Sequence, residues 1–107
     1  MKPIFKGIIS GTAITDAHYG LYLGQNPSAN LNFFVELDEK IYGIPSQLPV
    51  SCDRGRFYEG IFSTLIKKGD KVLLNCEIWK KELKIWQVEL IILKAKNIYN
   101  ESMEFGF

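Results

Sequence analysis

The clearest pattern along the chain is alternation. Leu31, Phe33, Val35 and Leu37 fall in one phase, with Phe34 and Glu36 in the other, so residues 31–37 predict a half-buried strand. Val72, Leu74, Cys76 and Ile78 alternate in the same way with Lys71, Leu73, Asn75, Glu77 and Trp79. Residues 84–98 predict a third such run, in which Trp86, Val88, Leu90 and Ile92 oppose Gln87, Glu89, Ile91 and Leu93. Residues 3–11 read as a first strand, with Ile4 and Ile8 on one face, Phe5 and Ile9 on the other, and Gly7 and Gly11 permitting strong coiling. Residues 18–23 continue that strand or begin the next, and the composition of 24–28 predicts a turn.

The connections are read from their polar and conformationally special residues. Asp38, Glu39 and Lys40 predict a tight link into a second hairpin strand over 41–44, while Pro45 and Pro49 demote the residues after that strand to loop or edge. Between residues 54 and 68 the period changes: Phe57, Ile61, Phe62, Leu65 and Ile66 form a stripe at helical spacing. Asp53 stands where it can cap that helix, Lys67 and Lys68 where the dipole favours cations, and Gly69 where a C′ residue belongs. A short link over 80–82 then joins the last two strands. Three strands, one short helix and a closing hairpin make an all-β, five-stranded OB-fold barrel with the helix between strands three and four. A partly open α+β sheet fits the same string less well. Residues 1–99 form that domain and 100–107 a short acidic and aromatic tail.

Length and composition fit one globular domain: 107 residues, 47% hydrophobic and 23% charged. The net charge is only +1, so placement matters more than the total. Lys67, Lys68, Lys71, Lys80, Lys81 and Lys84 outnumber Asp70, Glu77 and Glu82 in one stretch, and Glu36, Asp38, Glu39 and Asp53 outnumber Lys40 in another. Cys52 and Cys76 lack metal-site spacing, and with His18 as the one histidine no zinc site and no cofactor is expected. Two buried free thiols are the expected state, and spacing alone leaves a disulfide open. The N-terminal apolar run is too short for a secretory signal, and the run over 90–93 is far short of a membrane span, so the expectation is a cytoplasmic protein. No patterned nucleophile, Walker-type loop or dinucleotide fingerprint is present, and the chain reads as a non-enzyme.

Residues 65–74, Leu-Ile-Lys-Lys-Gly-Asp-Lys-Val-Leu-Leu, resemble the place in bacterial and phage single-stranded DNA-binding proteins where the helix ends and the fourth strand begins. The tryptophan-bearing polar hairpin and the closing phrase Ala95-Lys96-Asn97-Ile98 extend the resemblance over about a third of the chain. The departures are Cys76 where that family has a small glycine, a short last hairpin, and a loosely matching N-terminal third. The resemblance implies non-sequence-specific single-stranded DNA binding in replication or recombination, by a dimer or tetramer with Leu73, Ile91 and Leu93 available for contact. It also implies recruitment of replication proteins by an acidic, phenylalanine-ended tail, here Glu101, Glu104, Phe105 and Phe107, which could equally cover a patch of the same chain.

Single-stranded binders combine a positive groove with exposed rings, because every nucleotide offers a phosphate and a π-face. Trp79 is the leading platform, out of phase with the core positions and beside Lys80 and Lys81. Trp86, Phe34 and Tyr42 are further candidates, each open to a packing role instead. Lys67, Lys68, Lys71, Lys80, Lys81 and Lys84 converge if the last hairpin folds back over the helix end, and Arg54 and Arg56 extend the track. Two other readings stay open: a protein-interaction module on the same fold, and an RNA-binding domain.

Overall fold

The alternation at residues 31–37 is realised without a slip. In the computed structural model, which describes residues 2–19, 31–52, 66–83 and 88–106 (18–19, 81–83 and 88–89 as backbone only), strand β3 is Leu31–Leu37. Its Leu31, Phe33, Val35 and Leu37 are buried, while Phe34 and Glu36 face solvent. The other strands are β1 (Phe5–Ala13), β2 (His18–Tyr19), β4 (Gln47–Cys52), β5 (Lys71–Leu83), β6 (Val88–Asn100) and β7 (Phe105–Gly106). The first strand thus lies two residues later than its composition predicts.

Five of these close into a mixed barrel. β1 runs antiparallel to β5, β5 to β6, and β3 to β4; β4 and β6 are parallel; and β1 pairs antiparallel with β3 to complete the circuit. This OB-like order leaves the short β2 on the end of β3 and β7 on the end of β6. Val72, Leu74, Cys76 and Ile78 from β5, Val50 and Cys52 from β4, and Leu93, Ala95 and Ile98 from β6 meet the β3 residues in one core, with Ile66 beneath them. The predicted helix over 54–68, with its Asp53 cap, lies outside the described residues up to Leu65, and its predicted last residues 66–68 are not helical but lead into a turn in which Asp70 N–H donates to Lys67 C=O. After it, Gly69 holds φ +97° in the turn that leads into β5, a conformation that costs glycine little.

Closure requires β1 to serve two neighbours at once. Gly11 pairs with Val72 of β5 and with Leu37 of β3. A Cβ placed there would stand 2.7 Å from both the Glu36 carbonyl oxygen and Val35 Cγ2. Only a residue with no side chain lets the strands approach this closely.

Four sequence expectations change. Residues 41–44 are not a strand: Leu37 N–H donates to Ser46 C=O at 2.7 Å and Glu36 pairs with Gln47, so the hairpin loop spans 38–46. Ile41 and Ile44 instead form a turn, the Ile44 N–H donating to Ile41 C=O, and pack onto the core. Pro49 lies inside β4 opposite Phe34. Phe34 directs its N–H to Thr15 Oγ1 and its C=O to Ile14 N–H, so it asks nothing of Pro49, and the β4–β6 ladder begins only at Val50. A proline is therefore accommodated in mid-strand.

Residues 80–82 are strand, not link, because the β5–β6 ladder runs without a break in pairing direction from Val72·Asn100 to Leu83·Val88. Finally, the inward phase of β6 belongs to Leu93, not Ile92. A bulge at Lys96, between the pairs Cys76·Ala95 and Asn75·Asn97, then resets the phase so that Ile98 also points inward.

The two cysteines are free and buried. Both pair with Ala95, one from each side of β6, which places them about two strand spacings (~9–10 Å) apart and beyond disulfide reach. Burial, with a smaller contribution from the Glu77 carboxylate, pushes the Cys76 thiol up from 9.0 to about 12.

The closure and the buried thiols can each be tested. Gly11→Ala should cost about 1–3 kcal/mol through overpacking against a backbone carbonyl, read as a lower thermal midpoint by circular dichroism; an unchanged midpoint would mean that β1 does not close the barrel here. Neither thiol should react with a disulfide reagent at pH 8 until the chain unfolds. Because the folded Cys76 keeps its proton to higher pH than the unfolded one, its contribution is complete below pH 9 and lost as pH rises from 9 toward 12. Chemical denaturation across that window should show a steeper alkaline loss for the wild type than for Cys76→Ala.

Candidate nucleic-acid interface

β5 and β6 outrun the barrel. The ladder with β1 ends near Ile78, where Ile4 N–H donates to Ile78 C=O at 2.8 Å, and the ladder with β4 begins at Leu93. Residues 79–83 and 88–92 therefore pair only with each other among the described residues, as a two-stranded ribbon leaving the barrel. Trp79 and its partner Ile92 stand at the root of this ribbon.

The sheet register assembles a row of charge beside them. Lys6 of β1, Glu77 of β5 and Lys94 of β6 are consecutive partners across three strands, and the bulged Lys96 reaches the same carboxylate, its Nζ 3.8 Å from Glu77 Oε2. The Lys94 ammonium lies 5.6 Å from the centroid of the Trp79 ring. Trp79 itself is half-buried on the outer face, and its Nε1 is enclosed with no hydrogen-bond partner among the described residues. Lys6, Lys94 and Lys96 are all exposed, so one ring and three ammonium groups share a face with a single acid.

Both restraints on these lysines are weak. A solvated ammonium over a half-buried ring is worth on the order of 1 kcal/mol, and an ion pair whose lysine lies in water about 0–1 kcal/mol. A base stacking on an aromatic side chain contributes about 1–3 kcal/mol, enough to displace Lys94 from the ring and free its charge for a phosphate.

The other predicted residues do not gather here. Phe34 is 44% exposed on β3, opposite Pro49, and Tyr42 is fully exposed in the 38–46 loop. β3 and β5 are not neighbours in the barrel, so these rings share no face with Trp79. Their charged company is Glu36, Asp38 and Glu39 against Lys40 and the Lys71 ammonium on Asp38, a mixed sector that is less favourable to phosphate than the lysine row. Lys67 and Lys68 sit in the turn before β5, held by Lys67 N–H to Asp70 Oδ2 (2.9 Å) and Lys68 N–H to Asp16 Oδ1 (2.8 Å). Lys71 directs its ammonium to Asp38 Oδ1 at 3.4 Å. Lys80 is exposed nine residues further along β5, about 30 Å from Lys71 at strand rise. The ladder, paired out to Leu83·Val88, keeps the described ribbon from folding back, so Lys67, Lys68 and Lys71 stand at one end of β5 and Lys80 toward the other, and these four do not converge. Arg54, Arg56, Lys84 and Trp86, and the side chain of Lys81, lie outside the described residues.

Lys6, Lys94 and Lys96 are not among the residues that the sequence singles out. Their signal is the alternation Leu93-Lys94-Ala95-Lys96, which turns both later lysines outward once Leu93 is assigned inward.

The chain's end is pinned. Glu101 N–H donates to Lys71 C=O, Lys71 N–H to Ser102 Oγ, and Met103 N–H to Oδ1 of the fully buried Asn100, whose Nδ2 donates to Asp70. β7 then pairs back onto Tyr99 and Asn100, leaving Phe105 41% exposed, with Phe107 outside the described residues. Glu101 and Glu104 are thus carried on a turn and Phe105 on a strand, unlike a free linear motif.

Among the described residues, no group of three or more His, Cys, Asp and Glu is placed to hold a metal ion. No protein-family model matches this chain, and no curated protein does either.

Proposed function

We propose that this barrel binds single-stranded DNA without sequence preference, on the outer face of β1, β5 and β6, with Trp79 as the stacking platform and Lys6, Lys94 and Lys96 as phosphate contacts. The observation that carries this reading is the Lys94 ammonium 5.6 Å over the Trp79 ring, in a cross-strand row of lysines. Rings and cations at this spacing suit a base and its backbone together. The resemblance of residues 65–98 to bacterial and phage single-stranded DNA-binding proteins supports the same reading, and with it a role in replication or recombination.

Few phosphates are engaged by one copy, so affinity per barrel is modest, and association of copies along one strand would multiply it. The rival reading, an OB module that meets a protein, draws its support from the exposed Phe34 and Tyr42 among Glu36, Asp38 and Glu39.

The test is a titration of dT oligomers followed by tryptophan emission in a Trp86→Phe background, where Trp79 alone reports. Quenching should accompany binding, and with three lysines engaged the slope of log K against log salt should be about −2. Trp79→Ala should weaken binding about 5–150-fold, the equivalent of one lost stack. Lys94→Ala with Lys96→Ala should flatten the salt slope by about 1.4, while Phe34→Ala and Tyr42→Ala leave affinity unchanged. No quenching at low salt would end this reading. Equal loss for an RNA oligomer of the same length would assign the site to single strands in general.

A further inference from the structure

The row beside Trp79 contains one residue whose charge opposes a phosphate. Glu77 stands in the middle of it: Lys6 of β1 is its partner on one side, Lys94 of β6 its partner on the other, and the Lys96 ammonium lies 3.8 Å from its Oε2. Adjacent strands are about 4.8 Å apart, so the backbones of Lys6 and Lys94 are separated by roughly 10 Å with Glu77 between them. A nucleic-acid backbone that crosses β1, β5 and β6 passes over this carboxylate.

The acid is placed to stay where it is. Its side chain is 21% exposed, against 58% for Lys96, so the lysine can turn into water more readily than the carboxylate can. Its neighbours in sequence, Cys76 and Ile78, are buried in the core and fix its backbone. The fold does not need its charge. Backbone pairing on both sides of Glu77 holds the β1–β5–β6 register, and an ion pair whose lysine lies in water adds little to stability.

We infer that Glu77 is a built-in competitor for phosphate, a carboxylate that occupies the lysine row in the free protein and lowers the affinity of the strand that takes its place. The inference rests on the DNA-binding reading and names the residue that sets the strength of that same site. Binding draws Lys96 away from its carboxylate and brings phosphate toward a like charge, and at a solvated surface such interactions change affinity several-fold. Lys94 over Trp79 is the counterpart, an ammonium lying where a base would stack. In the free protein both halves of the site are filled by the protein's own side chains.

A different role for the acid, aligning the lysines for their ligand, has the opposite sign, and one substitution separates the two. Dissociation constants for a labelled dT oligomer are measured by fluorescence anisotropy at low salt, for the wild type, Glu77→Gln and Glu36→Gln. Both variants change the formal charge equally, but Glu36 is exposed on β3, away from the row. Glu77→Gln should bind about 3–10-fold tighter than the wild type, with an unchanged thermal midpoint, while Glu36→Gln changes little. The gain should narrow as salt rises from about 0.05 to 0.2 M, because the competing charge is screened. A Glu77→Gln protein that binds no tighter than Glu36→Gln, or more weakly than the wild type, would overturn the inference and leave the DNA-binding reading standing. Absence of binding by both the wild type and Glu77→Gln would end the two together.

Discussion

The barrel depends on one close backbone approach, at Gly11, where β1 passes from β5 to β3 and is paired with both. The 2.7 Å from a Cβ there to the Glu36 carbonyl explains why the strand carries glycine at this point, and the closure it permits shapes the surface. With β1 fixed between β3 and β5, the outer face divides into two sectors that meet only along β1. Lys6 stands in line with Glu77 and Lys94 because β1 is locked in register with β5. On the other side of the same strand, Thr12 pairs with Glu36 of β3, where the acids lie.

This division gives a nearly neutral chain two surfaces of opposite character. The lysine row around Trp79 faces one way, and Glu36, Asp38 and Glu39 with Phe34 and Tyr42 face another. A net charge of +1 conceals this arrangement because it sums over both. The ribbon formed by the ends of β5 and β6 extends the molecule without adding to the core.

How much of this is legible in the chain depends on where one period rules. The alternation of Leu31 to Leu37 and of Val72 to Ile78 defines inward and outward faces because each strand is buried on one side only. The 38–46 loop mimics a strand because Ile41 and Ile44 are apolar for a different reason: they cap the core from a turn. β6 misleads because a bulge at Lys96 breaks the period, so the apolar run over 90–93 offers two equally good phases and only pairing with Ile78 selects Leu93. The site shares this ambiguity. Trp79 is legible from its phase in β5, whereas its lysine partners come from β1 and β6, and cross-strand neighbours cannot be known before the register is.

The most direct measurement is an amide chemical-shift map of the ¹⁵N-labelled protein titrated with a short dT oligomer. The account predicts that the largest changes cluster at Lys6, Glu77, Trp79, Ile92 and Lys94, residues brought together by the β1–β5–β6 register and by nothing in the linear sequence. Changes centred instead on Phe34, Glu36 and Gln47, or none at saturating oligomer, would contradict it.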